Sequence, residues 1–583
     1  MFLYDIAVPE MSLNNLTYQC PVEIPTGIRV IVEVQKHFHA GFNLGKSKQN
    51  LDNEIKIKDI EGLIDERPVI TPDLWDMALY AGRVCLCGAA AALKVILPRF
   101  LIMGDKFTPP RNFNFDSRNF REINFFNPFD SERVNFYLSE LKQGERTLIL
   151  FSQKTAAENF FNSLPEELKN RALLWQSSGG KNYRLSWIQT HEGKFDLVIG
   201  TAGAIFAPLM PEKIIIEDEA SKNFIIPPVL NISALSLAGR RAAFLGSKFV
   251  TGGRYPSLKT FVRSKPEEKI FPERKNIIFA DIFHYKTRKE KSKGVEGNIP
   301  LTFSLIKNTY RELINKNSVI WILDRLGESS EVFCSRCGEN VKCPECGNSM
   351  RSENEGKTLR CRICGATRDL PEKCESCGFE VLAGRRPGLE ALAKIAEKYY
   401  DKVILYANKY SRIKKNSLIL STRRGLELCE KINPSLIAWL DLDLELVFPG
   451  HDTKLEVFNS LCESYWRGRE KNSNRKILIQ SRNKGMKVAK FFPQGWSKFF
   501  PVELAERREF NLPPFGYVVE IETQNSNLRE KILDAFFDDG IFVMDSGDES
   551  QPLHINTESL ESIEKVLSTI KFSPKELKIT MQN

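Results

Sequence analysis

The sequence predicts an α/β protein with two parallel-sheet lobes, a small β-rich domain before them and a small α+β domain after them. Short apolar segments alternate with helical segments twice along the chain, which is the pattern of two parallel sheets covered by helices. Four closely spaced cysteine pairs interrupt the second series. The 583 residues can bury several cores, and 42% hydrophobic with 27% charged residues excludes a disordered chain.

The first domain is predicted to span residues 1–104. The segment IRVIVEV (Ile28–Val34) has the composition of a strand, and Thr71–Leu97 has that of a helical stretch capped by Thr71 or Asp73. Residues 105–134 are rich in Phe, Asn and Pro without a clean period. We expect this segment to be a linker that packs on a neighbouring domain, because its phenylalanines would not stay in water.

The first lobe is predicted over residues 135–257. Its expected strands are the short apolar runs Thr147–Ser152, Phe195–Thr201, Lys213–Asp218 and Ala242–Ser247. The third of these, KIIIED, ends in the acidic residues Glu217 and Asp218, and Glu219 follows directly. An acidic strand end is a common way for a nucleotide-hydrolysing lobe to hold Mg²⁺.

The second lobe is predicted in two parts, residues 258–330 and 383–500, with an insert at 331–382 and a C-terminal domain at 501–583. Its expected strands are Ser318–Asp324, Lys402–Ala407, Ser417–Thr422, Leu436–Asp443 and Lys476–Ser481.

The insert carries four CxxCG motifs. Two residues between cysteines let one turn direct both sulfurs at one ion, and the glycine accepts the positive φ of that turn. Eight thiolates would make two closed Cys₄ zinc sites of a structural type. The inner pairs have zinc-ribbon spacing, and the outer pairs would close around them. The expected zinc sites are therefore Cys334, Cys337, Cys374 and Cys377, and Cys343, Cys346, Cys361 and Cys364. Reduced cysteines in a loop are the alternative.

Positive charge is concentrated late in the chain. The net charge is +9, and residues 465–510 hold 12 Lys or Arg against 4 Asp or Glu. Cations interleaved with aromatic residues suit contacts to DNA phosphates and bases. The alternative is that these aromatic residues belong to the core of the second lobe. The candidate DNA-binding residues are Arg467, Arg469, Arg475, Lys476, Lys484 and Lys487.

The remaining composition bears on location. The N-terminal MFLYDIAVPEMS lacks the basic start and apolar core of a secretory signal, and no apolar run is long enough to cross a membrane. We therefore expect a cytoplasmic protein with reduced thiols.

The run CPECGNSMRSENEGKTLRCRICGATRDLPEKCESCG, with ELAERREFNLPPFGY (Glu503–Tyr517), resembles the primosomal protein N′ (PriA) family of replication-restart helicases. The N-terminal AVPEMSLNNLTYQCPVEIPTGIRVIVEV resembles that family's domain for the 3′ end of DNA. The resemblance implies two RecA-like, helicase-type lobes and the nested zinc pairing given above. As partners it implies forked DNA, single-stranded-DNA-binding protein, primosome proteins and the replicative helicase.

The sequence departs from the family at its motor motifs. No phosphate loop GxxxxGK[ST] precedes Thr147, and GFNLGKS (Gly41–Ser47) is one residue short, so we expect a loop there. Ala220 replaces the histidine of the DEEH motif. The family's QxxGRxGR motif is CESYWRGRE here (Cys462–Glu470), in which Arg467 or Arg469 could mimic one arginine. An aromatic–acidic pair of the family's 3′-end pocket aligns with Leu16 and Thr17.

These departures favour a restart protein that binds forked or branched DNA and promotes reloading of the replicative helicase without unwinding DNA. Two alternatives stay open: an ATP-dependent 3′–5′ helicase with an atypical ATP site, and a zinc-ribbon interaction scaffold that has lost DNA binding. Two zinc ions are the expected cofactors. Whether ATP is bound is left open.

Overall fold

The computed structural model describes residues 1–47, 57–109, 119–175, 181–226, 230–282, 301–326, 329–334, 336–353, 357–361, 364–380, 382–406, 413–446, 450–471, 473–483, 485–545, 551–570 and 576–582. By internal contacts the chain divides into two compact units. The first comprises residues 1–127, 131–266 and 504–583, and the second comprises residues 128–130 and 267–503.

The N-terminal domain is a largely antiparallel sheet followed by short helices. Its elements are β1 (Phe2–Val8), β2 (Leu13–Cys20), β3 (Arg29–Val34), β4 (His37–Lys46), β5 (Lys58–Asp59), β6 (Gly62–Leu63), α1 (Pro72–Val84), α2 (Gly88–Ile96) and α3 (Arg99–Ile102). The strand order is β5-β2-β1-β4-β3-β6. Thr71 is the residue that precedes α1, and proline occupies the first helical position, where its missing N–H costs nothing.

The first lobe is a six-stranded parallel sheet of order β7-β14-β11-β8-β10-β9. Its elements are β7 (Arg121–Phe126), α4 (Asp130–Glu140), β8 (Thr147–Phe151), α5 (Lys154–Asn162), α6 (Glu166–Lys169), β9 (Ala172–Leu174), α7 (Lys181–His191), β10 (Leu197–Gly200), β11 (Lys213–Glu217), β12 (Ile225–Ile226), β13 (Ile232–Ser233), α8 (Ala234–Leu245), β14 (Lys248–Gly253) and α9 (Leu258–Ser264). One core joins this lobe to the N-terminal domain. Across it, the Arg241 guanidinium on α8 lies 2.6 Å from the Asp73 carboxylate on α1, with both side chains fully buried.

The second lobe is also a parallel sheet, of order β15-β25-β24-β16-β23-β22, and the insert forms a separate antiparallel sheet of order β20-β19-β18-β17-β21. Before and through the insert the elements are β15 (Ile277–Asp281), α10 (Phe303–Ile314), β16 (Val319–Ile322), β17 (Ser329–Cys334), β18 (Met350–Glu353), β19 (Thr358–Cys361), β20 (Thr367–Asp369) and β21 (Leu382–Pro387). After it come α11 (Leu389–Ala396), β22 (Val403–Tyr406), β23 (Leu418–Ser421), α12 (Cys429–Ile432), β24 (Leu436–Trp439), α13 (Leu442–Glu445), α14 (Thr453–Trp466), β25 (Lys476–Ser481) and α15 (Lys487–Phe491).

The C-terminal domain packs two helices on a four-stranded antiparallel sheet of order β27-β28-β26-β29. Its elements, with the helix that leads into it, are α16 (Trp496–Glu509), β26 (Tyr517–Glu522), α17 (Ser526–Asp538), β27 (Val543–Met544), β28 (Leu553–Thr557), α18 (Leu560–Thr569) and β29 (Lys578–Gln582). The predicted fold class is confirmed: a β-rich domain, two parallel-sheet lobes of RecA-like type, a cysteine-rich insert and a small α+β domain.

One predicted strand is wrong. The run Ala242–Ser247 ends helix α8 instead, and the strand begins at Lys248. The Ser233 hydroxyl accepts a bond from the Leu235 amide at the start of this helix, and Gly246 ends it with a φ of 64°. A short apolar run fits a buried helix face as well as a buried strand, so periodicity alone did not separate the two.

The segment predicted as a linker belongs partly to the first lobe. Strand β7 pairs in parallel with β14 at the edge of the sheet, and α4 begins before residue 134. The sequence REINFF places apolar and polar residues irregularly because β7 is an edge strand and none of its side chains is fully buried. Residues 258–266 were predicted to begin the second lobe, but they belong to the first compact unit.

Candidate functional sites

The eight insert cysteines form two clusters. Cys334, Cys337, Cys374 and Cys377 form one, and Cys343, Cys346, Cys361 and Cys364 form the other, with the four sulfurs of each within 4.8 Å of one another. Both groupings are those predicted from the motif spacing.

The sulfur spacing fits a tetrahedral ion. The Cys334–Cys377 and Cys337–Cys374 sulfurs lie 3.6 and 3.7 Å apart. Four thiolates at about 2.3 Å from a zinc ion would stand about 3.8 Å from one another. The two clusters could therefore each hold a metal ion of this type.

The local backbone explains why each motif ends in glycine. The amides of Gly338, Gly347 and Gly378 each donate to the carbonyl of the first cysteine of their pair, at 2.8–2.9 Å. All four motif glycines have φ between 70° and 76°, where a side chain would be strained. At Cys334, an N–H bond from Cys337 lowers the pKa of the thiol to about 6.

The acidic end of β11 is closed by side chains of its own lobe. The Glu217 carboxylate accepts bonds from Arg133 Nε at 2.8 Å and from the Tyr137 hydroxyl at 2.6 Å, both on α4. Both glutamate oxygens are thus occupied. Burial raises the pKa of Glu217, and the Arg133 guanidinium opposes that rise. Arg133 and Tyr137 are four residues apart and share one face of α4, but this spacing alone does not identify Glu217 as their partner.

The next two carboxylates are also engaged. The Arg254 guanidinium lies 2.9 and 3.0 Å from the two oxygens of Asp218, whose φ is 55°. Glu219 is buried and accepts the Ser257 amide at 2.7 Å, and its burial raises its pKa. An arginine therefore occupies the place beside Asp218 where a divalent cation would neutralise the carboxylate.

The connection from β7 to α4 is too short for a phosphate loop. Only residues 127–129, Asn-Pro-Phe, separate the end of the strand from the start of the helix. A GxxxxGK[ST] loop needs several glycine-permissive residues to wrap backbone N–H groups around phosphates. These three residues include no glycine and offer no such cradle.

The other phosphate-loop candidate is an extended strand. GFNLGKS was predicted to be a loop, but Gly41–Lys46 lies within β4. Its backbone pairs with β1 and β3. The amides that would have bound phosphate are therefore used in the sheet.

The carboxyl edge of the second lobe's sheet is closed by ion pairs. Arg423 lies 2.6 Å from both the Asp324 and the Glu445 carboxylates. Burial raises the pKa of Glu445 to about 7. Arg482 donates to both oxygens of Asp441 at 2.8 and 2.9 Å. Ligands of α/β sheets bind at this edge, and here charged side chains of the lobe occupy it.

Three candidate DNA-binding arginines are buried within the second lobe. Arg467 donates to Glu430 at 2.9 Å, and Arg469 donates to the Ser473 carbonyl while its guanidinium lies 4.2 Å from the Tyr465 ring centre. Arg475 donates to the Pro434 carbonyl and the Asn433 side chain. These contacts are those of structural side chains.

The aromatic residues of the same segment also lie in the core, since Tyr465, Trp466, Phe492 and Trp496 are buried. These aromatic residues therefore belong to the core of the second lobe, which was the alternative to a DNA-binding surface. Counting charged residues in the sequence could not distinguish these two possibilities, because a count does not show which side chains are exposed.

The candidate lysines differ in their surroundings. Lys476 lies 2.9 Å from Glu312. Lys487 is exposed on α15, and Lys484 lies outside the described residues. DNA contact at these positions stays a prediction.

Leu16 and Thr17, the residues that align with the family's 3′-end pocket, are consecutive on β2. Leu16 packs against the apolar core of the sheet, and the Thr17 hydroxyl donates to the Asp5 carboxylate at 3.0 Å. Neither offers an aromatic face or a free carboxylate.

Elsewhere, among the helices described, none combines the length and apolarity needed to cross a bilayer.

Comparison with known proteins bears on this N-terminal domain first. Residues 5–98 match the family described as the PriA 3′ DNA-binding domain. Proteins named "Replication restart protein PriA" match much more of the chain. That of Thermotoga maritima is 21% identical over 59% of this chain and 48% of its own length. That of Bacillus subtilis is 22% identical over 70% of this chain and 53% of its own length.

The chain is therefore similar to PriA proteins over much of its length, at 20–22% identity. The Borreliella burgdorferi PriA is 20% identical over 81% of this chain and 78% of its own length. The chain thus spans about half the length of the first PriA relatives named above and more of the third. A solved structure of yeast dbp5 aligns over 76% of the chain with 11% identity and a TM-score of 0.27, a likeness too weak to support an inference.

Proposed function

We propose that this chain is a replication-restart protein that binds forked or branched DNA, promotes reloading of the replicative helicase and does not unwind DNA itself. The observation that carries the DNA-binding part is the match of residues 5–98 to a 3′ DNA-binding domain. The PriA relatives, named for replication restart, support the cellular role.

The closed acidic strand end supports the absence of a motor. A helicase needs a phosphate cradle, a Mg²⁺ ion and carboxylates that are available to hold the ion and orient the attacking water. Here the strand-to-helix connection has three residues, and Glu217 and Asp218 are paired with Arg133 and Arg254. We therefore expect that the chain does not hydrolyse ATP.

Zinc is the proposed metal of both cysteine clusters, because four thiolates in a tetrahedral arrangement suit it. Zinc would fold the insert and leave no open position for catalysis. The proposed partners beyond DNA are single-stranded-DNA-binding protein, primosome proteins and the replicative helicase, and the proposed location is the cytoplasm. These follow from the family resemblance.

A fork titration tests the proposal. The full chain would be titrated against a labelled fork that carries a 3′ end at its junction, at several salt concentrations. We expect salt-dependent binding, because contacts to DNA phosphates carry it. Blocking the 3′ end with a phosphate then measures separately whether the domain still reads the end with Leu16 and Thr17 in place of the aromatic–acidic pair. Absence of binding at low salt would contradict the proposal and favour the scaffold that has lost DNA binding.

A further inference from the structure

Helix α10 of the second lobe exposes an apolar stripe. Phe303, Tyr310 and Ile314 are 64%, 58% and 60% exposed. They lie seven and four residues apart, so they share one face of the helix. The opposite face carries Leu305 and Thr309, which are buried in the lobe. Large aromatic side chains this exposed mark a surface that contacts something else.

The exposed charged residues on and just after α10 are all cationic. Lys307, Arg311 and Lys316 are all exposed, and within the described residues no ion pair involves them. The one carboxylate between residues 301 and 317 is Glu312, which is buried and bound to Lys476 and Asn317. The face is therefore cationic as well as aromatic, which complements a polyanion.

We propose that this face of α10 binds single-stranded DNA, with bases stacked on Phe303 and Tyr310 and phosphates near Lys307 and Arg311. At a rise of about 1.5 Å per residue, the two rings stand roughly 10 Å apart along the helix, so they would accept two bases of one strand that are separated by more than a single nucleotide step. Stacking on exposed aromatics with neighbouring cations is how proteins hold single strands without reading sequence. This site rests on the proposed DNA-binding function and adds a contact to it.

A second pair of exposed phenylalanines lies among acidic residues, where single-stranded DNA is not expected to bind. Phe537 and Phe542, at the end of α17 and just before β27, are 82% and 77% exposed. Asp538, Asp539 and Asp545 lie close to them in sequence. Residues 511–583 carry 6 Lys or Arg against 13 Asp or Glu, so this pair lies in a domain that repels DNA. It provides a matched control with the same side chains and the opposite charge.

The test measures the affinity of the full chain for a labelled oligothymidylate by fluorescence anisotropy. We expect the Phe303→Ala/Tyr310→Ala variant to bind about tenfold more weakly or worse, the loss of one or two stacked bases. The Lys307→Gln/Arg311→Gln variant should lower the salt slope by about 1.4, from two lost phosphate contacts. The control Phe537→Ala/Phe542→Ala should bind as the wild type does. All of these side chains are exposed, so circular dichroism should be unchanged.

Three outcomes would overturn the site. Equal affinity of wild type and the α10 aromatic variant would exclude it, as would an equal loss in the control pair. Loss of self-association, with oligothymidylate binding intact, would assign the face to a second copy of the chain. If fork binding persists in any of these cases, only the α10 site is excluded and the proposed function stands. If the wild type binds neither the fork nor the oligothymidylate, the proposed function itself is contradicted.

Discussion

Glu217 shows how a single residue can keep the sequence position of a metal ligand while losing its chemistry. The carboxylate lies at the end of β11, but Arg133 and Tyr137 bind both of its oxygens. Ala220 could be recognised as a departure from the sequence alone. The two partners on α4 could not, because the segment was expected to be mostly linker and its side-chain directions follow from the helix that forms there.

Replacing Arg133 tests this arrangement. Arg133→Gln would leave the Glu217 carboxylate buried and without its cation, so we expect a loss of about 3–5 kcal/mol in the free energy of unfolding of the first unit. Urea unfolding would measure it. The control Arg263→Gln breaks a half-exposed pair with Glu122 and should cost less than about 1 kcal/mol. Similar losses in both variants would contradict the structural role of Arg133.

At the scale of elements, apolar runs predicted most of the parallel strands because a strand buried on both faces needs them. Four of these strands were missed: β7, β9, β14 and β15. The sequences of β7 and β14, REINFF and KFVTGG, mix apolar residues with Asn, Thr and Gly, and β9 is only three residues long. The cysteine pairing was predictable because a tetrahedral ion restricts the spacing of its ligands. Burial of Arg467, Arg469 and Arg475 was not, because it depends on which strands and helices surround them.

The insert depends on its metal more than the lobes do. Its apolar core is small and itself includes Cys343 and Cys361, so we expect it to lose structure on chelation while the lobes stay folded. Hydrogen exchange with and without a chelator would measure both. Fast exchange in the lobes as well would contradict this independence.

The metal content of the purified protein measures how many zinc ions each chain binds. The wild type should contain two zinc ions per chain, and Cys361→Ser and Cys374→Ser should each contain one, because each removes a ligand from a different cluster. Cys462→Ser, which removes a buried thiol outside both clusters, is the control and should retain two. Two ions in either cluster variant would exclude the assignment.

At the scale of the whole molecule, a domain similar to the PriA 3′ DNA-binding domain accompanies two parallel-sheet lobes whose carboxyl edges are closed by the protein's own charges. The net charge of +9 hides an acidic C-terminal domain, so residues 1–510 carry almost twice that excess: 77 Lys or Arg against 61 Asp or Glu. Such a chain is suited to holding DNA through phosphate contacts, which need no ATP. We therefore expect DNA binding to persist without ATP hydrolysis.

ATP turnover by the full chain would be measured as forked DNA is added, with fork binding followed in the same sample. We expect salt-dependent fork binding and no DNA-stimulated hydrolysis, with Glu219→Gln indistinguishable from the wild type. DNA-stimulated turnover that Glu219→Gln abolishes would contradict this expectation and establish a working ATP site.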